Sequence, residues 1–273
     1  LTVNAATTTT TRTTTTTTTT TTTPPPTTFP HAGTTYPNGA IVSFGAKDYV
    51  FAGGRAFAAA AAELAALEKV DHAKVVSAPG STAPTAVAMR AGTLMTARAV
   101  NGSPTIYVAG TDGEQHGFST GAQFSRDGYD AALVVTVPGL GGEKVGATVG
   151  VEGSSATALA TRADGAIADS AGTFYVFAGG RAFGISSPAA LVALRAADRA
   201  TALAGAVGGA ETSASIASGV LLSAPGNVYV SYQGDLYPFK AMAQLAADGY
   251  GGTAAVPVPG TGGLSVVSSY SGS

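Results

Sequence analysis

The chain contains no cysteine and no tryptophan, and only 11% of its 273 residues are charged. Without cysteine there are no disulfides, no thiolate metal sites and no thiol nucleophiles; the compartment is left open by this alone. A net charge of −2 lacks the basic footprint that displaces counterions from a phosphate backbone, so nucleic acid is not an expected partner. No stretch approaches about eighteen consecutive apolar residues, so no membrane-spanning helix is expected. Leu1-Thr2-Val3-Asn4-Ala5-Ala6 has neither the basic flank nor the apolar run of a secretory leader. We read it as a mature end left after a leader was removed, and an extracellular location is expected. Sparse charge also removes the like-charge repulsion that keeps folded proteins apart, so self-association is expected from composition.

What is present is small side chains, turns and threonine. Apolar residues make up 45% of the chain, and 37 glycines and 14 prolines point to many short elements. Residues 7 to 23 are threonine throughout except Arg12, and Pro24-Pro25-Pro26, Thr27 and Thr28 follow. Such Thr-Pro composition marks O-glycosylated stalks, since each hydroxyl can take a sugar, β-branching extends the chain and proline favours polyproline II. The candidate glycosylation sites are Thr7, Thr8, Thr9, Thr10, Thr11, Thr13, Thr14, Thr15, Thr16, Thr17, Thr18, Thr19, Thr20, Thr21, Thr22, Thr23, Thr27 and Thr28. A plain linker is the competing reading. Extended, residues 7 to 28 span roughly 70 Å at about 3.3 Å per residue, enough to cross onto a neighbouring subunit. Leu1 and Val3, the apolar residues ahead of the tract, are the candidate assembly contacts.

From Gly39 onward the chain repeats. Four units open at Gly39-Ala40-Ile41, Gly92-Thr93-Leu94, Gly165-Ala166-Ile167 and Gly219-Val220-Leu221. Each continues through an aromatic and β-branched segment: Tyr49-Val50-Phe51, Ile106-Tyr107-Val108, Tyr175-Val176-Phe177 and Val228-Tyr229-Val230. Residues 49–57 and 175–183 spell the same nine letters, YVFAGGRAF, and units two and four share Asp-Gly-Tyr and end in Pro-Gly-x-Gly-Gly (138–142 and 259–263). A pair of units was therefore duplicated. The expected fold class is β-rich α+β, with four ββ(β)αβ repeats in two duplicated pairs behind an extended Thr/Pro-rich segment. The boundaries are 1–38 for that segment, 39–146 for the first pair and 165–268 for the second.

The tyrosine segments read as half-buried strands, and Gly53-Gly54 and Gly179-Gly180 supply the positive φ of tight hairpins. Ser187 reads as an N-cap with Pro188 at the first helical position. Leu191 and Leu194 share one helix face, as do Leu64 with Leu67 and Met242 with Leu245, and Gly249 reads as a helix stop. No unit has enough large side chains to bury its own faces, so adjacent units must share a core.

The fourth unit, GVLLSAPGNVYVSYQGDLYPF followed by a helix, Gly249-Tyr250 and a valine strand, resembles short repeats of bacterial surface and cell-wall-associated proteins. Their general form is G-x-L-V, V-Y-V, a Gly turn, Phe or Pro, a helix ending in G-Y, and V-x-V. The resemblance runs from Gly39 to about Gly263, and the first and third units depart from it in lacking Gly-Tyr and carrying alanine-rich helices. A weaker resemblance, through Y-V-F-x-G and a later Pro-Gly, is to hemopexin-like four-bladed propellers, whose tryptophan and Asp-Ala openings are missing here. Neither resemblance implies a catalytic residue.

Gly117-Phe118-Ser119-Thr120-Gly121 matches the G-x-S-x-G pattern of a nucleophile elbow, but no histidine follows His116, and the segment reads instead as the corner where Ser119 or Thr120 caps a helix. His31, His72 and His116 lack ligand spacing. Asp112-Gly113-Glu114 reads as a hairpin turn rather than a calcium loop, and residues 139–142 lack the third glycine of a dinucleotide loop. Arg55 and Arg181 read as structural, with an anionic polymer as the alternative contact. Asn101-Gly102-Ser103 is a sequon. No catalytic, cofactor-binding or metal-binding residue is assigned, no cofactor is expected and the protein is read as a non-enzyme.

The expected function is a secreted structural cell-surface protein, the self-assembling subunit of a glycosylated filament or layer. Its expected partners are other copies of itself and covalent glycans, with its N-terminal segment engaging a neighbour. The alternative is a cell-wall or polysaccharide-binding module on a threonine-rich stalk, with Tyr129, Tyr250, Tyr232 and Tyr237 as its platform. A hydrolase is the third reading, carried by Ser119 alone.

Overall fold

The computed structural model describes residues 36–71, 75–77, 82–97, 105–126, 129–149, 163–198, 203–204, 206–241, 243, 245 and 255–267. It is β-rich, with four four-stranded sheets. The first holds β1 (Ile41–Phe44), β2 (Lys47–Ala52), β3 (Arg55–Ala59) and β4 (Val75–Ser77), with helix α1 (Ala61–Asp71) between the last two. The second holds β5 (Leu94–Ala97), β6 (Ile106–Ala109), β7 (Gln115–Gly117) and β8 (Val135–Val137), with α2 (Gly121–Arg126). The third holds β9 (Ile167–Ser170), β10 (Thr173–Ala178), β11 (Arg181–Ile185) and β12 (Leu203–Ala204), with α3 (Pro188–Asp198). A short helix α4 (Gly209–Ser213) precedes the fourth sheet, made of β13 (Leu221–Ala224), β14 (Asn227–Tyr232), β15 (Asp235–Pro238) and β16 (Val256–Pro257).

All four sheets have one order. The third strand is at one edge, then the second and the first, and the fourth lies beyond the first. The first three form an antiparallel meander, and the fourth pairs parallel to the first. A parallel neighbour needs a crossover, because the chain must return to the end where it began. In the first and third sheets α1 and α3 lie on that crossover. Ser187 Oγ accepts from the Ala190 N–H at 3.1 Å, so the expected N-cap of α3 is in place.

The hairpins follow from their glycines. Ala52 pairs with Arg55 and Ala178 with Arg181, leaving two-residue turns at Gly53-Gly54 and Gly179-Gly180. Both residues of each turn have φ between 56° and 83°, the region that a type I′ turn requires and that side chains resist. One expectation needs correcting. The Tyr-Val-Phe segments are central strands covered on both faces, since Val50, Phe51, Val176 and Phe177 are all fully buried. That is why they read as an apolar run and not as a clean alternation.

The units meet through their cores. Ile41, Val50 and Phe57 of the first unit pack in one cluster with Met95, Val135 and Val137 of the second. A larger cluster runs from Leu94 and Phe118 through Ile167 and Phe183 to Leu222 and Val256, so buried side chains are continuous across both pairs. The start of the first unit lies a little before Gly39. Tyr36 is buried with its ring 4.8 Å from that of Phe51, and Asn38 Oδ1 accepts from the Gly53 N–H at 2.7 Å.

The two most faithfully repeated signatures turn out to be partners. Arg55 Nη2 donates to the Gly141 carbonyl at 2.8 Å, and Arg181 Nη2 donates to the Gly262 carbonyl at 2.7 Å. A Cβ on Gly141 would sit 3.0 Å from the Phe57 ring, and one on Gly262 would sit 2.7 Å from the Phe183 ring. The Arg-x-Phe of each odd unit thus clasps the Pro-Gly-x-Gly-Gly of the next, and only glycine lets the backbone lie so close to the ring. Arg55 also forms an ion pair with Glu143, whereas Arg181 donates to the Ala214 carbonyl.

Candidate functional site

The most distinctive surface lies where each pair ends. After the clasp, the chain continues beside the third strand of its own sheet. The Gln115 N–H donates to the Lys144 carbonyl at 2.8 Å, the Gly146 N–H to Gln115 at 3.0 Å and the Val149 N–H to Gly117 at 3.0 Å. In the second pair the Leu236 N–H donates to Ser265 at 2.8 Å and the Val267 N–H to Leu236 at 3.0 Å. Val145 and Val266 are the bridging residues, each parallel to the strand it covers. In a parallel pairing the bridging residue turns its own N–H and C=O away from its partner. At both places the new sheet edge therefore presents open backbone groups, and Val145 (55% exposed) and Val266 (48%) are among the large apolar side chains left in solvent.

Side chains hold the first-pair segment as well. His116 Nδ1 donates to the Ala147 carbonyl at 2.7 Å, and its Nε2 faces both Asp112 carboxylate oxygens at 3.1 Å. Gln123 Nε2 donates to the Val149 carbonyl at 2.7 Å. Two acceptors, one on each ring nitrogen, are both satisfied only by the imidazolium. Burial pulls the His116 pKa down, but the Ala147 carbonyl and the Asp112 and Glu114 carboxylates outweigh it and raise the value above its ordinary 6.5. Asp112 is lowered by the Glu114 N–H first and by His116 second. A raised histidine value stabilises the fold fully below about pH 6.5, and that stabilisation is lost as pH rises through the folded value. The urea midpoint is expected to fall between pH 5.5 and pH 8.5 by more than it does in His116→Gln, whose side chain does not titrate. Parallel pH dependences in the two proteins would refute the assignment.

Beside this edge is an open notch of about 310 Å³ whose lining includes Arg55, Asp112, Glu114, Glu143 and Lys144. Glu143 is taken by Arg55 and Asp112 by His116. A second concavity of about 390 Å³, lined by Ser223, Asn227 and Lys240 among others, lies at the β13–β14 turn.

The residues singled out from sequence fall as follows. Leu1, Val3 and all the candidate threonines from Thr7 to Thr28 lie outside the described residues, as do His31, His72, Tyr250 and Asn101-Gly102-Ser103. Thr120 Oγ1 accepts from the Gln123 N–H at 3.0 Å, so Thr120 caps α2, and the Ser119 hydroxyl donates to Gln123 Oε1. Asp112-Gly113-Glu114 forms the turn between β6 and β7, with Asp112 Oδ1 accepting from the Glu114 N–H at 3.0 Å. Among the described residues no three histidine or carboxylate side chains are placed to share a metal ion. No described helix is long and apolar enough to cross a membrane.

The tyrosine platform needs correction. Tyr129 is buried, with ring centroids 4.9 Å from Phe118 and 5.5 Å from Phe124, and Tyr237 is buried with Tyr232 edge-on at 6.3 Å. These aromatics fill cores: Tyr129, in the loop after α2, closes back onto Phe118 and Phe124, and Tyr237 packs from β15. The edge segments themselves escaped the sequence reading, since 143–149 is irregular; its one signal was Val145, matched by Val266. Comparisons with protein-family models, with curated proteins and with solved structures find no match for this chain.

Proposed function

We propose that the chain is a secreted structural protein of the cell surface, built from a duplicated pair of repeats, that self-assembles into a glycosylated extracellular filament or layer. In this reading the N-terminal Thr/Pro-rich segment of one subunit engages the next by adding a strand to an open sheet edge. The observation that carries it is the pair of equivalent edges at Val145 and Val266, each with an exposed valine and outward-facing backbone groups. Natural sheets blunt such edges with charge, proline or a covering element when association is to be avoided. With 11% charged residues, this surface opposes association weakly. A contact between different surfaces of successive copies does not close on itself and gives a fibre. Glycosylation is supported by the composition of residues 7 to 28.

The test is deletion of residues 1–35, which keeps Tyr36 and Asn38 with the first unit. Negative-stain microscopy and sedimentation are expected to show filaments for the full chain and monomers for the truncated one, with urea unfolding midpoints unchanged. Filaments from the truncated protein would overturn the reading. The alternative, a polysaccharide-binding module on a threonine-rich stalk, loses Tyr129 and Tyr237 as contact residues.

A further inference from the structure

The edge of the first pair has features that select both a partner segment and its register. Along it, Val145 and Thr148 are exposed; the bonds of Lys144 and Gly146 to Gln115 leave the Val145 N–H and C=O facing outward, and the Val149 bond to Gly117 turns the Thr148 carbonyl outward. A threonine strand suits such an edge. It is β-branched, tolerates solvent on its outer face and offers a donor and an acceptor at every residue. A homopolymer cannot fix its own register, however, because a slip by one or two residues presents the same side chains again. Arg12 is the one residue between 7 and 23 that breaks this sameness.

The notch beside Val145 is where a cation would be read. Arg55 engages Glu143 there, and His116 engages Asp112. Glu114 is half-buried beside Gly146; its carboxylate makes no hydrogen bond or salt bridge among the described residues, and its charge acts on His116. We propose that residues 7 to 23 of a second copy add as a strand outside residues 144–149, with the Arg12 guanidinium paired to Glu114, and that this pair sets the register of assembly. The proposal rests on the assembly reading above and adds to it an acceptor edge and a register. The second-pair edge carries an acid at the equivalent place, Asp235, and its segment bridges Leu236 as the first bridges Gln115, so Asp235 serves as the internal comparison.

The test uses full-length variants. Arg12→Glu and Glu114→Arg are each expected to raise the critical concentration for filament formation roughly tenfold or more, the effect of replacing a charge-assisted pair with like charges. Mixed in equal amounts, the two variants restore assembly, because every contact between unlike subunits is then matched. Within a single chain of either variant no match exists, so rescue by mixing requires pairing between copies. Asp235→Arg is expected to assemble like the unaltered chain. Wild-type assembly by Glu114→Arg, loss of assembly in Asp235→Arg, or failure of the mixture to assemble would each overturn the proposal. Filaments after deletion of residues 1–35 would instead overturn the assembly reading itself. If the deletion abolishes filaments while Glu114→Arg leaves them intact, only the acceptor edge and register are wrong.

Discussion

Replacing Asp164 with alanine is expected to destabilise the protein by about 3–5 kcal/mol, the cost of breaking a buried ion pair from one side. Asp164 lies in the turn that opens the third unit, and it does two things there. One carboxylate oxygen accepts from the Gly179 N–H at 2.7 Å, closing the β10–β11 hairpin against the opening turn. The other pairs with Arg90, which belongs to the opening turn of the second unit, so a single side chain ties the two pairs together. Both partners are largely out of solvent, with side-chain exposures of 17% for Arg90 and 9% for Asp164. Alanine leaves the guanidinium without its counter-charge and the Gly179 N–H without its acceptor. The chain contains its own control, because the equivalent residue of the first unit is Asn38, which accepts from Gly53 at the same 2.7 Å but pairs with no arginine among the described residues. Asn38→Ala should therefore cost only about 1 kcal/mol, the net worth of one ordinary hydrogen bond. Arg90→Ala combined with Asp164→Asn should recover most of the loss, since no charge is then stranded. Urea unfolding of the four proteins measures this. Equal losses in Asp164→Ala and Asn38→Ala would show that the ion pair contributes nothing to holding the pairs together.

Gly179→Ala is expected to cost about 2–5 kcal/mol and Gly180→Ala about 1–2 kcal/mol, although the two residues share one turn. Both have left-handed φ, 57° and 79°, so an alanine meets similar backbone strain at either place. The surroundings differ. A Cβ on Gly180 meets nothing within 4 Å, whereas one on Gly179 falls 2.7 Å from Ile216 Cγ1, 2.9 Å from Val220 Cγ2 and 3.2 Å from the Ala217 nitrogen. Those atoms belong to the opening turn of the fourth unit, whose Ala217 N–H donates to the Gly179 carbonyl at 3.0 Å. The same docking recurs in the first pair, where the Arg90 N–H donates to Gly53 at 2.9 Å and a Cβ on Gly53 would lie 2.4 Å from Met89 Cγ. The excess loss at Gly179 thus reads the interface between units, and the loss at Gly180 reads the turn alone. Indistinguishable unfolding midpoints for the two variants would mean that the close approach is relieved at little cost and does not hold the units together.

Local chemistry was legible in the letters. Paired glycines with the residues flanking them define the hairpins, Ser187 and Pro188 define the start of α3, and the threonine cap of the helix at residues 121–126 stands beside its serine. Each of these depends on residues only a few positions apart, so short-range sterics and hydrogen bonding decide them. The duplication was equally plain, as was the need for units to share cores, because no unit carries enough large apolar side chains alone. What the letters could not decide was which repeated piece meets which. Arg55 reaches Gly141, 86 residues away, and Arg181 reaches Gly262, 81 residues away. Whether Tyr129 and Tyr237 face solvent or core, and whether residues 143–149 lie free or cover a strand, depends on the side of the sheet to which each helix returns the chain. That choice is made by burial summed over both pairs, a property of the packed whole that no short stretch of sequence carries.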